Sequence, residues 1–181
     1  MSHTLSRRVM APILMALLLS ALTVASTLAT PPSDIGAARA ATARYNSLNQ
    51  ALDAGYGLLP VGAPLHDCIM ALDGSGGMGF HFVNFELLAD PAVDPTTPEV
   101  LVYAPDKNGK LRLVALEYVV FQADWEDAGN AADPALFGHA FHETGAPNRY
   151  EIPAFFALHV WLWEENPVDM FADFNPNVSC N

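Results

Sequence analysis

Glu99-Val100-Leu101-Val102-Tyr103, a break at Pro105-Asp106-Lys107-Asn108-Gly109-Lys110, and then Leu111-Arg112-Leu113-Val114-Ala115-Leu116-Glu117-Tyr118-Val119-Val120-Phe121 read as two strands and the reversal between them. Branched and aromatic side chains suit a pleated, half-buried surface, and Asn-Gly supplies the positive φ that a tight reversal needs. The segment is therefore an antiparallel hairpin, and the rest of the chain is read outward from it.

Upstream, Phe80-His81-Phe82-Val83-Asn84 carries the same strand composition and follows a flexible glycine-rich turn, Asp73 to Gly79. Asp90 to Pro98 holds three prolines and is expected to be a loop. Leu58 to Leu72, interrupted by Pro and Gly, is expected to wrap the core irregularly. Ahead of it, Ala41 to Ala54 places Tyr45, Leu48 and Leu52 at helical spacing, with Gly55 and Gly57 as the stop. Downstream, Asp124 to Pro134 reads as an acidic loop, Ala135 to Phe141 as one or two helical turns, and Thr144 to Pro153 as loop. Phe155 to Trp163 reads as an apolar strand ended by Glu164-Glu165-Asn166-Pro167. Met170 to Asn181 is expected to fold back on the sheet. Strands joined by hairpins and preceded by one helix define the α+β class, with the helix packed on an antiparallel sheet. A parallel sheet would need crossover helices, for which the pattern has no room.

The chain has 181 residues, 51% of them hydrophobic, with 20 acidic against 8 basic residues and a net charge of -12. Such a surface repels nucleic-acid phosphates and anionic lipid heads, so neither is expected as a partner. At the N-terminus, Ser6-Arg7-Arg8, the uncharged run Ile13 to Ala29 and the small residues Ala38-Arg39-Ala40 spell an export signal. The expected organisation is a cleaved signal at 1–40 and one mature domain at 41–181, secreted or periplasmic, with no membrane attachment after cleavage. An uncleaved anchor is the alternative, and the paired arginines also resemble a twin-arginine signal. Cys68 and Cys180, the 2 cysteines of the chain, are expected to form a disulfide in an oxidising compartment.

Two histidines interrupt apolar strands: His81 between Phe80 and Phe82, and His159 within Phe156 to Trp163. An unpaired buried imidazole costs on the order of 1–3 kcal/mol, so each needs a hydrogen-bond partner or a metal. Glu117 is a third anomaly, expected to share a strand face with Leu113, Ala115 and Val119. Two imidazoles and a carboxylate form a ligand set for Zn or non-haem Fe. His139-Ala140-Phe141-His142-Glu143 lacks the zincin spacing but is a natural source of a further ligand, His142. If the metal serves chemistry, a bound water with its pKa lowered toward about 7 would react, with Glu117 or Glu143 as base.

Other patterns point less far. Gly74, Gly76 and Gly79 match a dinucleotide fingerprint but open a strand rather than a helix. Met78 and Met170 beside His81 would suit Cu. Tyr103, Tyr118, Trp161 and Trp163 suggest a small-molecule pocket. The expected function is binding of a divalent transition metal, Zn, Cu or Fe, through His81 and His159 with Glu117 or His142. The alternative is a metal-free binding or structural module whose histidines are hydrogen-bonded core residues.

Met78-Gly79-Phe80-His81-Phe82-Val83-Asn84, Pro98 to Tyr103, and Leu158 to Trp163 through Asn175-Pro176-Asn177-Val178-Ser179-Cys180 resemble stretches of uncharacterised secreted bacterial proteins. The resemblance implies export and a compact domain, and carries no activity or site residue with it.

Overall fold

The computed structural model describes residues 34–180. The charged start and apolar run of the expected export signal lie outside them. Among the described residues no helix is long and apolar enough to cross a membrane.

Helix α1 (Asp34–Thr42), a 3-10 turn at Ala43–Asn46 and helix α2 (Leu48–Asp53) replace the single helix expected over 41–54. The break has a tertiary cause. The hydroxyl of Tyr103 donates to the carbonyl of Tyr45 at 2.6 Å, and Ser47 takes an extended conformation that redirects the chain. Residues 34–40 are packed as well, since Ala38 is completely buried and Arg39 lies over the Trp163 ring. The stop falls as the glycine predicts, with Gly55 at φ 91.

Strand β1 (Ile69–Met70), β2 (Gly77–Val83), the single turn α3 (Phe85–Leu88), β3 (Val100–Pro105) and β4 (Leu111–Phe121) follow. The hairpin forms as read. Asp106 accepts from the backbone of Asn108 and Lys110, and Gly109 sits at φ 77. Helix α4 (Gln122–Asp127) occupies the start of the expected acidic loop. Where helical turns were expected at 135–141, the chain forms a small hairpin, β5 (Ala135–Leu136) and β6 (His139–Ala140). Its reversal places Phe137 at φ 55 and Gly138 at φ 80, a left-handed pair that a helix cannot contain. Strand β7 (His142–Thr144) and β8 (Phe155–Val160) complete the set, β8 ending three residues before Trp163.

Six strands make one antiparallel sheet in the order β1-β2-β3-β4-β8-β7. One face carries Phe82, Leu101, Tyr103, Leu116, Tyr118 and Leu158, and packs against Ala38, Tyr45, Ala51 and Tyr56 of the helical segment. Leu101 and Leu116 are completely buried there, each contributing about 1.5–3 kcal/mol. The other face carries Val100, Val102, Ala115, Val119 and Ala157 and is covered by loops and the segment after β8. A register shift opposite Val102 and Tyr103 doubles one position of β4. Leu113 consequently joins the helix side while Ala115 and Val119 stay on the other, correcting the shared face expected for all three.

The segment from Met170 onward is stitched back as expected. Gly77 and Asn175 exchange backbone bonds at 3.1 and 3.0 Å, and the Asn175 side chain donates to Glu165 at 3.1 Å. The approach is close enough to require glycine, because a Cβ at Gly76 would lie 2.4 Å from the Asn175 carbonyl oxygen. Gly79 similarly faces the Tyr103 carbonyl, where a Cβ would lie at 2.5 Å. These glycines serve strand packing rather than a dinucleotide loop. Cys68 and Cys180 are disulfide-bonded.

Candidate metal centre

His159 stands directly across from Glu117 in the β4/β8 pairing, and Glu117 is in turn paired with Val100 of β3. His81, on β2, is paired with Val102, one step along the same face. Alternation puts all three side chains on the loop-covered face, and only small residues separate them laterally. His81 Nε2 lies 3.4 Å from Glu117 Oε2, and His159 Nε2 lies 3.7 Å from Glu117 Oε1. The two imidazoles meet edge to face with ring centres 5.9 Å apart. One ligand atom from each residue can be chosen so that all lie within 4.8 Å of one another. Ligands around one ion at about 2.0–2.2 Å would need only a modest contraction of that triangle.

All three groups are buried. Burial pushes Glu117 up to about 8, and the charges of Asp173 and Glu99 push in the same direction. Burial lowers His81 to about 4, and it lowers His159 to about 3 with help from the charges of His81 and His142. Both imidazoles are therefore neutral near pH 7, the form that ligates metals. Three of their ring nitrogens, His81 Nδ1 and both nitrogens of His159, have no hydrogen-bond partner.

Sequence reasoning missed two further carboxylates. Asp173 lies 3.9 Å from His159 Nδ1 through one oxygen and 3.0 Å from His142 Nδ1 through the other. Its segment is held by Trp161, whose indole donates to the Ala172 carbonyl at 2.6 Å and whose backbone donates to Met170. Only the expected return of this segment to the sheet hinted at that placement. Glu99 is buried at the start of β3, accepts from the Val119 backbone at 2.9 Å, and is pushed up to about 7 by burial. Its position beside a proline loop resembles an ordinary strand edge, so no pattern marks it.

The remaining candidates separate. His142 is largely exposed and reaches the centre only through Asp173. Glu143 alternates to the opposite side of β7 and accepts from Gln122 at 2.9 Å, so it is not brought to the group. His139 is stacked on Phe171. Met78 lines the cavity at the centre, but Met170 is 41% exposed and does not. Tyr103 and Tyr118 are core residues on the helix side whose hydroxyls donate to Tyr45 and Pro95 carbonyls. Trp161 packs on the other face, so the four aromatics expected to line a pocket do not share one.

Compared with protein-family models, curated proteins and solved structures, the chain matches none. The arrangement of side chains is thus the whole basis for reading the site.

Proposed function

We propose that the protein binds one divalent transition metal through Nε2 of His81, Nε2 of His159 and the Glu117 carboxylate. The observation that carries this reading is the group of unpartnered, buried ring nitrogens around a buried carboxylate. Leaving them empty would waste several hydrogen bonds in a low-dielectric interior. Two imidazoles and one carboxylate with open positions favour Zn or non-haem Fe, and among the described residues lining the cavity Met78 is the one thioether, which counts against Cu. Asp173, facing Nδ1 of His159, would hold that ring with Nε2 toward the ion. The alternative, a metal-free module with hydrogen-bonded histidines, is supported by His81 Nε2 at 3.4 Å from Glu117 and is the weaker reading because both nitrogens of His159 have no hydrogen-bond partner among the described residues.

Export to an oxidising compartment is part of the proposal, supported by the N-terminal pattern and by the Cys68–Cys180 disulfide. The resemblance to secreted bacterial proteins points the same way. Processing upstream of Asp34 would retain the buried Ala38, whereas cleavage after Ala40 would remove it, and N-terminal sequencing of the exported protein distinguishes the two.

Metal analysis of natively purified protein should find about one equivalent of Zn or Fe. His81→Ala and His159→Ala should each lose it while remaining folded by circular dichroism. Purified wild-type protein that takes up neither ion when supplied with both would refute the reading.

A further inference from the structure

The metal-binding group forms part of the wall of a partly open cavity of about 90 Å³, bounded on one side by the sheet and on the other by the covering loops. Val100, Val119 and Ala157 come from strands, while Leu65, Ile69 and Ile152 come from the segments folded over them. At ~10–15 Å³ for each water-sized occupant, the space admits roughly six to nine non-hydrogen atoms. Among the described residues that line it there is no Lys or Arg, and the carboxylates are Glu117 and Asp173.

We propose that this chamber receives an uncharged, mainly apolar molecule of that size, a small aromatic or branched aliphatic alcohol or ketone, with its oxygen toward His81, Glu117 and His159. The inference rests on the metal reading above, which supplies the polar end. With a divalent ion in place its two positive charges are balanced by Glu117 and Asp173, so the wall has no net charge left to offset an organic anion, and burying that charge among apolar walls is costly. An organic cation would meet the ion. A neutral molecule meets neither obstacle, and its apolar body gains by leaving water.

The test uses benzyl alcohol as probe, with benzoate and benzylammonium as charged counterparts of nearly equal size. Zinc uptake by the purified protein is titrated first, and probe binding to the zinc-loaded protein is then followed by ligand-observed NMR. Benzyl alcohol should bind saturably and roughly tenfold or more tightly than either ion. Ile152→Asn and Leu65→Gln, both on covering segments, should each weaken it by a similar factor while zinc uptake is retained. Two loop variants are used so that misfolding of one, visible as lost zinc uptake, leaves the other decisive. Equal binding of a charged counterpart, unchanged affinity in a variant that still takes up zinc, or no saturable binding to zinc-loaded protein would overturn the chamber. Failure to take up either zinc or, supplied in its place, ferrous iron would overturn the metal reading, and the chamber with it, at the first step.

Discussion

The two faces of one sheet differ in how their buried polar atoms are arranged. On the helix side, Tyr56, Tyr103 and Tyr118 bury their rings and each hydroxyl donates to a backbone carbonyl at 2.6–2.7 Å. On the loop side, His81, Glu117 and His159 are equally buried, yet three ring nitrogens have no partner. The same strands build both surfaces, so the difference is not one of poor packing. Among the described residues the Trp163 indole N–H on the helix side also has no partner, and what distinguishes the loop side is that three such atoms gather around one buried carboxylate.

Removing the covering segment's anchor should have the largest effect. Cys68→Ser opens a loop with a sequence separation of 112, and the chain-entropy estimate for its loss is about 4–5 kcal/mol. Urea unfolding with and without reductant measures it, and a loss below about 1 kcal/mol would show that the Gly77–Asn175 pairing alone suffices to hold the segment. Leu116→Ala, on the helix side, should cost about 3 kcal/mol in the same assay and leave zinc affinity unchanged. A fall in zinc affinity would break the separation of the two faces. Asp173→Asn should do the reverse, weakening zinc by about 10- to 100-fold with little change in the metal-free unfolding curve.

The pH dependence sharpens the contrast further. Glu117 is raised from 4.5 to about 8, so in the metal-free protein its stabilising, protonated form is complete below pH 4.5 and its contribution is lost as pH rises toward 8. Glu99, raised from 4.5 to about 7, acts in the same direction. His81 and His159 fall from 6.5 to about 4 and about 3, so their contribution is complete above 6.5 and is lost as pH falls through those values. Thermal melts of metal-free protein should therefore peak between about pH 4.5 and 6.5. Glu117→Gln should raise the melting temperature at pH 8 by a few degrees, flattening but not abolishing the alkaline decline, because Glu99 remains. Zinc uptake by wild-type protein at pH 7 should release close to one proton, readable from calorimetry in buffers of different ionisation enthalpy. Smallest of all, Arg112→Ala removes a partly exposed pair with Glu164 and should change stability by less than about 0.5 kcal/mol.

Much of this comparison was legible in the residues. Asn108-Gly109 and the branched runs on either side specify the central hairpin by local chemistry alone. His81, Glu117 and His159 stood out because each interrupts an apolar strand, a violation that demands an explanation wherever the strand lies. What was hidden depends on contacts distant in sequence. The break at Ser47 follows from a hydroxyl of Tyr103, more than fifty residues on. The register shift in β4 moved Leu113 to the other face, because a one-residue slip reverses alternation and leaves no mark in composition. The Phe137-Gly138 reversal was masked by a bulky residue in a left-handed conformation that sequence preference argues against. Asp173 looks like any acidic loop residue until Trp161 fixes its position.

Asp173 and Cys180 follow every strand of the sheet in the order of synthesis. A chain emerging from its N-terminus can thus assemble both histidines and Glu117 on the sheet before the piece that flanks them exists. Until then the hollow stands open to solvent on that side. The cover over the three side chains is thus completed late, by the same stretch of chain that carries the second sulfur.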